Sequence, residues 1–219
     1  MIKLENAEVY GWEAAIRGMR NPMNSWDKSD SVLKVPEDCE IIIGDNDLKL
    51  MKNLAKAGSD HRKFLRMITV TVDVTAPLYW WKEFDTYKVG TVTNSCSTMH
   101  KIADKEFEFD DFSHEKLINS ACMEIQEQHI RLSPIQTLAT TIGCLNSYRE
   151  LYLKTKDKKY WWQLIQLLPS SYNQRRTCCL NYEVLANIYF ARRNHKLDEW
   201  HVFCDWILSL PYFKEIMEV

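Results

Sequence analysis

The sequence predicts an α+β fold, in which strands near the middle of the chain are followed by a largely helical second half. Three observations lead there. Residues 67–77, "MITVTVDVTAP", alternate apolar and polar side chains, the period of a strand with one buried face. Residues 133–155, "SPIQTLATTIGCLNSYRELYLKT", repeat apolar residues at helical spacing behind a Ser-Pro start. Six Gly and six Pro are spread thinly over 219 residues, so no stretch reads as a linker, and residues 1–219 are expected to form a single domain.

Taken in order, "CEIII" at 39–43 is a short apolar run closed by "GDND" and reads as a strand. A helix is expected from about Asp47, with an Asp cap and Gly58 as its stop. In the strand at 67–77, Ile68, Val70, Val72, Val74 and Ala76 make the apolar face. Thr69, Thr71, Asp73 and Thr75 make a hydroxyl-rich one, and Pro77 ends it. Trp80 and Trp81 are placed on extended chain after it, which turns consecutive residues to opposite sides. One is then expected in the core and the other on a ring or a neighbouring subunit, with core or interface packing favoured for both. "YKVGTVT", 87–93, reads as a third strand.

Helices are expected from Ser113 through "SHEKLINSACMEIQEQHI", from Ser133, over 158–168 up to Pro169, over 178–193 and over 197–210. In the helix that starts at Ser133, residues Ile135, Leu138, Ala139, Ile142, Leu145 and Leu151 share one face.

Composition removes several function classes. A formal net charge of −2 gives no sign of a nucleic-acid polymer as partner. No apolar run reaches membrane length and the N-terminal residues lack an apolar leader core, so no membrane segment is expected. Seven Cys are irregularly spaced without a CxxC pair, which points away from a zinc ribbon or redox dithiol and towards free thiols in a reducing cytoplasm. Cys96 with His100 is too little for a metal site, and none is expected. No GxGxxG, P-loop, HExxH or GxSxG occurs.

"TYKVGTVTNSCSTMH", Thr86 to His100, is dense in hydroxyls and amides. Such a loop can cradle a phosphate or a pyrimidine edge with neutral donors and acceptors. Its hydroxyls can equally bond their own backbone.

Three segments together resemble the flavin-dependent thymidylate synthases: "DHRKFLRMITVTVDVTAP", the Thr86–His100 stretch, and "LLPSSYNQRRTCCLNYEVLANIYFARRNHKLDEW" at 167–200. Ala76-Pro77 closes the strand as in that family. Asn94 and Ser97 reproduce its Asn-x-x-Ser. Leu168-Pro169, Asn181 and a helix-end arginine follow at the family spacing. The chain departs from the family where Tyr87-Lys88 replaces part of Arg-His-Arg, Met99 stands at the arginine of Ser-x-Arg, and Arg66 replaces a His.

The resemblance implies a central antiparallel sheet with helices and a helical C-terminal half. It implies transfer of a one-carbon unit to carbon 5 of a pyrimidine deoxynucleotide, dUMP or a relative. FAD would be the hydride carrier and methylene-tetrahydrofolate the one-carbon donor, in a homo-oligomer, with a tetramer favoured. Carried over residue by residue, it gives Arg192 or Arg193 as the catalytic cation facing the pyrimidine carbonyls. Asn94, Ser95, Ser97, Thr98 and Glu83 are the expected substrate contacts. Arg66, Tyr87, Lys88 and Asn181 are the expected cofactor contacts. The altered anion-binding positions also suit a non-catalytic homologue that keeps the fold and oligomer as a structural or regulatory nucleotide-binding protein.

Overall fold

The structure is a computed structural model that describes residues 2–33, 41–120 and 132–219. Along the chain come β1 (Lys3–Tyr10), α1 (Trp12–Arg20), β2 (Val32–Leu33), β3 (Ile41–Ile42), α2 (Asp45–Lys56), β4 (Thr69–Pro77) and α3 (Leu78–Phe84). They are followed by β5 (Val92–Ser95), α4 (Thr98–Lys101), α5 (Pro134–Thr155), α6 (Lys158–Leu167), β6 (Asn173–Asn181), α7 (Tyr182–Arg192), α8 (Asp198–Ser209) and α9 (Phe213–Met217). The fold is α+β, as expected. The main sheet has four strands in the order β1-β4-β6-β5, and β2 and β3 form a small antiparallel pair. The chain divides into two compact units, residues 75–85 with 95–176, and residues 2–74 with 86–94 and 177–219.

β4 is the strand the alternation predicts. Ile68, Val70, Val72, Val74 and Ala76 are all 1% exposed or less. Each buried Val or Ile contributes roughly 1.5–3 kcal/mol. Between them the polar side chains are half-buried and used: Asp73 accepts from Asn6 Nδ2 at 2.9 Å and from Thr177 Oγ1 at 2.6 Å.

Two strands escape the sequence pattern. β6 occupies residues expected to be a connector and then the start of a helix. Gln174, Cys178 and Leu180 are its buried positions, but Gln, two Arg and Thr between them hide the alternation. The helix expected over 178–193 therefore begins only at Tyr182, capped by the Asn181 side chain, which accepts from Val184 N. β1 stands at one end of the sheet and is exposed along most of its length, so it needs no apolar stripe.

Other expectations are corrected. Trp80 and Trp81 lie on helix α3 rather than on extended chain, and both are buried, at 0% and 1% exposure. A helix lets neighbours point into one core at about 100° apart, which a strand cannot. The strand expected at 87–93 is confined to β5, exposed at all four positions. No helix starts at Ser113: residues 113–120 are turns and irregular chain, and the remainder of that expectation lies outside the described residues. Of the strand expected at 39–43, Ile41–Ile42 is observed and residues 39–40 lie outside the described residues.

In the first unit, α5 opens on a reciprocal cap. Ser133 Oγ accepts from Gln136 N while Gln136 Oε1 accepts from Ser133 N. Leu138, Ile142 and Leu145 of α5 join Phe107, Phe112 and Leu164 in the core. Ala139 and Leu151, expected on that face, are exposed. The core of the second unit is aromatic, with Trp12, Tyr182 and Phe213 meeting edge to face. Tyr182 Oη donates to Pro211 O at 2.7 Å, and burial pushes its pKa far up.

α1 and α2 are tied through one buried ion pair. Arg20 Nε donates to Asp47 Oδ1 at 2.6 Å. Asp47 Oδ2 accepts from the Ser29 and Ser31 hydroxyls and the Asp30 and Ser31 amides. Burial raises the Asp47 pKa, but the bonds from Ser31, Ser29, Arg20 and the Asp30 amide outweigh it, and the carboxyl is held below its usual range.

Candidate functional site

The second unit holds the two candidate arginines at the end of α7. Arg192 is its last residue and Arg193 its cap. Arg192 Nε donates to the Tyr87 hydroxyl at 2.9 Å. Its guanidinium lies 4.8 Å from the centre of a Trp200 ring and 5.6 Å from that of Tyr87. Those two rings meet edge to face at 6.3 Å. Trp200 is fully buried near the start of α8. A planar cation with a bonded edge and an aromatic face on it keeps one orientation. Arg193, one residue on, is exposed and lies over Tyr189 and Phe190. The structure thus separates two arginines that the sequence leaves equivalent.

Tyr87 belongs to a loop that also grips the start of α7. Gly90 has φ +75°, and a Cβ there would stand 2.9 Å from Asn181 Nδ2 and 3.1 Å from Val184 Cγ2. Only glycine lies that close at that backbone angle without strain. Asn181 Oδ1 is bonded to Val184 N at 3.0 Å. Of the expected cofactor contacts, Tyr87 and Asn181 thus make bonds within the chain. Lys88 and Arg66 are exposed, with Arg66 in the short 3-10 turn Lys63–Arg66.

In the first unit, the segment after β5 lines a cleft of about 180 Å³ together with the start of β6; Ser97, Thr98, Lys101, Asn173, Gln174 and Arg175 are on its wall. Ser97 caps α4, its Oγ accepting from His100 N at 3.2 Å. Gln174 Nε2 donates to Cys96 O, and Cys96 N donates to Arg175 O. These bonds fix the cleft wall to β6. Lys101 pairs with Asp104 at 2.8 Å, and that bond raises its pKa. Asn173 Oδ1 is buried with no hydrogen-bond partner among the described residues, an acceptor that a bound donor would satisfy.

Of the expected substrate contacts, Ser97 and Thr98 are on this cleft. Ser95, in the same unit, is exposed at the end of β5 and is not on the wall. Asn94 is exposed in the second unit. Glu83 is half-buried on α3.

Sequence reasoning missed Arg176, Gln174 and Trp81 as a brace in the first unit. The Arg176 guanidinium lies 4.2 Å from a Trp81 ring centre, and its Nη1 reaches Asp85 at 2.7 Å. Trp81 Nε1 donates to Gln174 O. The signal, had β6 been recognised, is its alternation of Gln174, Arg176 and Cys178.

FAD can be tested against the residues present. In the loop that carries Tyr87, the Thr91 hydroxyl is buried with no partner among the described residues, and Lys88, three residues before it, offers an exposed ammonium. A hydroxyl and an ammonium are donor types that a phosphate-bearing cofactor can use, and Arg66 is a further exposed cation of the same unit. Among the described residues, no group of three or more His, Cys, Asp or Glu is arranged to hold a metal ion. No described helix is long and apolar enough to cross a membrane.

No protein-family model matches the chain, and no curated protein matches it in sequence. Solved structures do match its fold. Thymidylate synthase X (ThyX) from Helicobacter pylori, solved with FAD and dUMP, superposes with a TM-score of 0.68 at 15% identity, over 99% of this chain and 97% of that one. A second structure of that enzyme with the same ligands gives 0.67 at 16% identity, over 98% and 97%. The UMP/dUMP methylase PolB from Streptomyces cacaoi, bound with 5-Br dUMP, gives 0.63 at 13% identity, over 100% and 94%. The chain has a fold like that of thymidylate synthase X, at 13–16% identity to these structures.

Proposed function

We propose, from a fold shared along nearly its whole length with thymidylate synthase X, that this chain binds a pyrimidine deoxynucleotide such as dUMP and transfers a one-carbon unit to its carbon 5. Methylene-tetrahydrofolate would be the one-carbon donor. The observation that carries the reading is the fixed guanidinium of Arg192, held by Tyr87 and Trp200. A pyrimidine carbonyl that accepts from it would gain stabilisation as negative charge builds on its oxygen, and a donor already oriented needs no reorganisation when that happens. Arg193, over the aromatic residues of its own helix, is not given this part.

FAD, when bound, would supply the hydride. Arg66, Lys88 and Thr91 would hold its charged and polar groups, while Tyr87 and Asn181 would act at one remove, by fixing Arg192 and the loop. In the first unit, the Ser97–Lys101 cleft offers hydroxyl and amide partners to a substrate, and Glu83 and Ser95 of that unit and Asn94 of the second are retained as proposed substrate contacts. We also propose a homo-oligomer, a tetramer first, in a reducing cytoplasm; light scattering that gives a single-chain mass at micromolar concentration would remove the assembly.

A second reading keeps nucleotide binding without catalysis. It is favoured by the exposed Met99 where the motif has arginine, and by the bonds that already occupy Tyr87 and Asn181. One experiment separates the two. The purified protein is titrated with dUMP, its absorbance is recorded with added FAD, and its gene is placed in a thymidine-requiring cell. Binding of both ligands with growth supports the first reading. Binding of dUMP alone, without growth, supports the second. No dUMP binding by the wild type, or binding unchanged in Arg192→Ala, overturns both.

A further inference from the structure

We propose that the second unit carries a separate binding site for a planar bicyclic heterocycle with a lactam edge, as in guanine or hypoxanthine, in the cavity beside α1. The cavity measures about 380 Å³, and its wall includes Glu13, Arg17, Arg20, Trp26, Ser29 and Val32. Ligand pockets of a few hundred cubic ångströms with a few placed polar groups are typical of small-molecule sites.

Four features of the wall define the ligand. Arg20 is only 3% exposed, and four of its five N–H groups are bonded, to Asp47, to both oxygens of Ser25 and to Lys28 O. The fifth, on Nη2, has no acceptor among the described residues. Arg17 and Glu13 stand one turn apart on α1 and both border the cavity, yet neither has a hydrogen bond or ion pair among the described residues. Trp26 is about half exposed (51%), and its Nε1 donates to Asn21 Oδ1 at 2.8 Å, which fixes the indole plane.

A simple anion would be opposed by Glu13, and an apolar ligand would strip water from Arg17 and Glu13 without replacing it. A cation finds one carboxylate against an unpaired arginine. A lactam satisfies all four: its carbonyl accepts from the guanidinium groups, its ring N–H donates to the Glu13 carboxylate, and its face lies on Trp26. Two fused rings and a sugar fit the volume.

The test is isothermal titration of the full chain with guanosine and with inosine. One-to-one binding is expected for at least one of them. 1-Methylguanosine, in which the ring N–H is blocked, should bind at least about tenfold more weakly than guanosine, the loss expected for one charge-assisted bond. Trp26→Ala and Arg17→Ala should each weaken binding by about tenfold or more. Both side chains are exposed, so circular dichroism melts should match the wild type. Failure of both nucleosides to bind at millimolar concentration overturns the proposal, as does equal binding of 1-methylguanosine or binding unchanged in both variants.

Discussion

Tyr87 Oη accepts a hydrogen bond from Arg192 Nε at 2.9 Å, so the loop after α3 fixes the plane of the guanidinium at the end of α7. Tyr87→Phe removes that acceptor and keeps the ring. Bonds to charged groups contribute about 1.5–3 kcal/mol when well shielded, and a half-buried arginine stands at or below the lower end. Urea denaturation should show a loss of about 0.5–1.5 kcal/mol. A variant as stable as the wild type would mean that the bond contributes nothing.

Gly90→Ala places a methyl group 2.9 Å from Asn181 Nδ2 at φ +75°. Left-handed backbone on a side-chain-bearing residue costs of order 1–3 kcal/mol, before any clash is relieved. The melting temperature should fall, whereas Gly58→Ala, which meets nothing within 4 Å at φ +99°, should carry the backbone cost alone. Equal melting temperatures for the two would show that the loop does not press on α7.

Asp47 contributes to the pH dependence of the second unit. Its folded pKa lies below the ordinary carboxylate value of 3.8, so its contribution is complete at pH values above that ordinary value. It is lost as pH falls through the folded pKa. Asp47→Asn leaves Arg20 buried without its counter-charge and should cost about 3–5 kcal/mol at neutral pH. Chemical denaturation from pH 7 to 3 should show the wild type losing stability on acidification and the variant losing less. Parallel curves would sink this assignment.

Cysteine reactivity should be uneven. Cys204 is buried, and burial pushes its thiol up to about 11, while Cys96 is exposed. Iodoacetamide at pH 8 should alkylate Cys96 within minutes and leave Cys204 untouched until the protein is unfolded. Mass spectrometry of tryptic peptides reads both; early labelling of Cys204 would contradict its burial.

Legibility in the sequence follows how one-sided each environment is. β4 could be read from its residues because every second side chain is buried and the others are polar. β6 could not, since Arg176 satisfies itself against Trp81 and Asp85 instead of leaving the sheet. Such pairings depend on residues about ninety positions away, beyond any local window. β1 gave no signal because exposure on both faces leaves no period. Ser133 was legible as a cap because a cap is a local bond; Asn181 was not, because β6 runs unrecognised up to it and its residues read as the start of the helix. The choice between Arg192 and Arg193 was not, because it rests on Tyr87 and Trp200. The cavity beside α1 left no pattern, since Glu13, Arg17 and Trp26 are ordinary surface residues until the turn after α1 brings them together.

The loop from Tyr87 to Gly90 touches α7 at both ends, by Tyr87 at Arg192 and by Gly90 at Asn181. From Asn181 to Arg192 a helix rises about 16 Å, whereas three extended residue steps cover only about 10 Å. The Tyr and Arg side chains bridge the difference across a loop that turns at Val89 and Gly90, so it is pinned near both ends of its helix. Val89 is 90% exposed and would ordinarily be taken for a wandering tip. Held at both ends, the backbone through Lys88 and Val89 has fewer shapes to give up than a tip fixed at neither, and whatever meets it meets a surface whose ordering cost has been met in part by the fold.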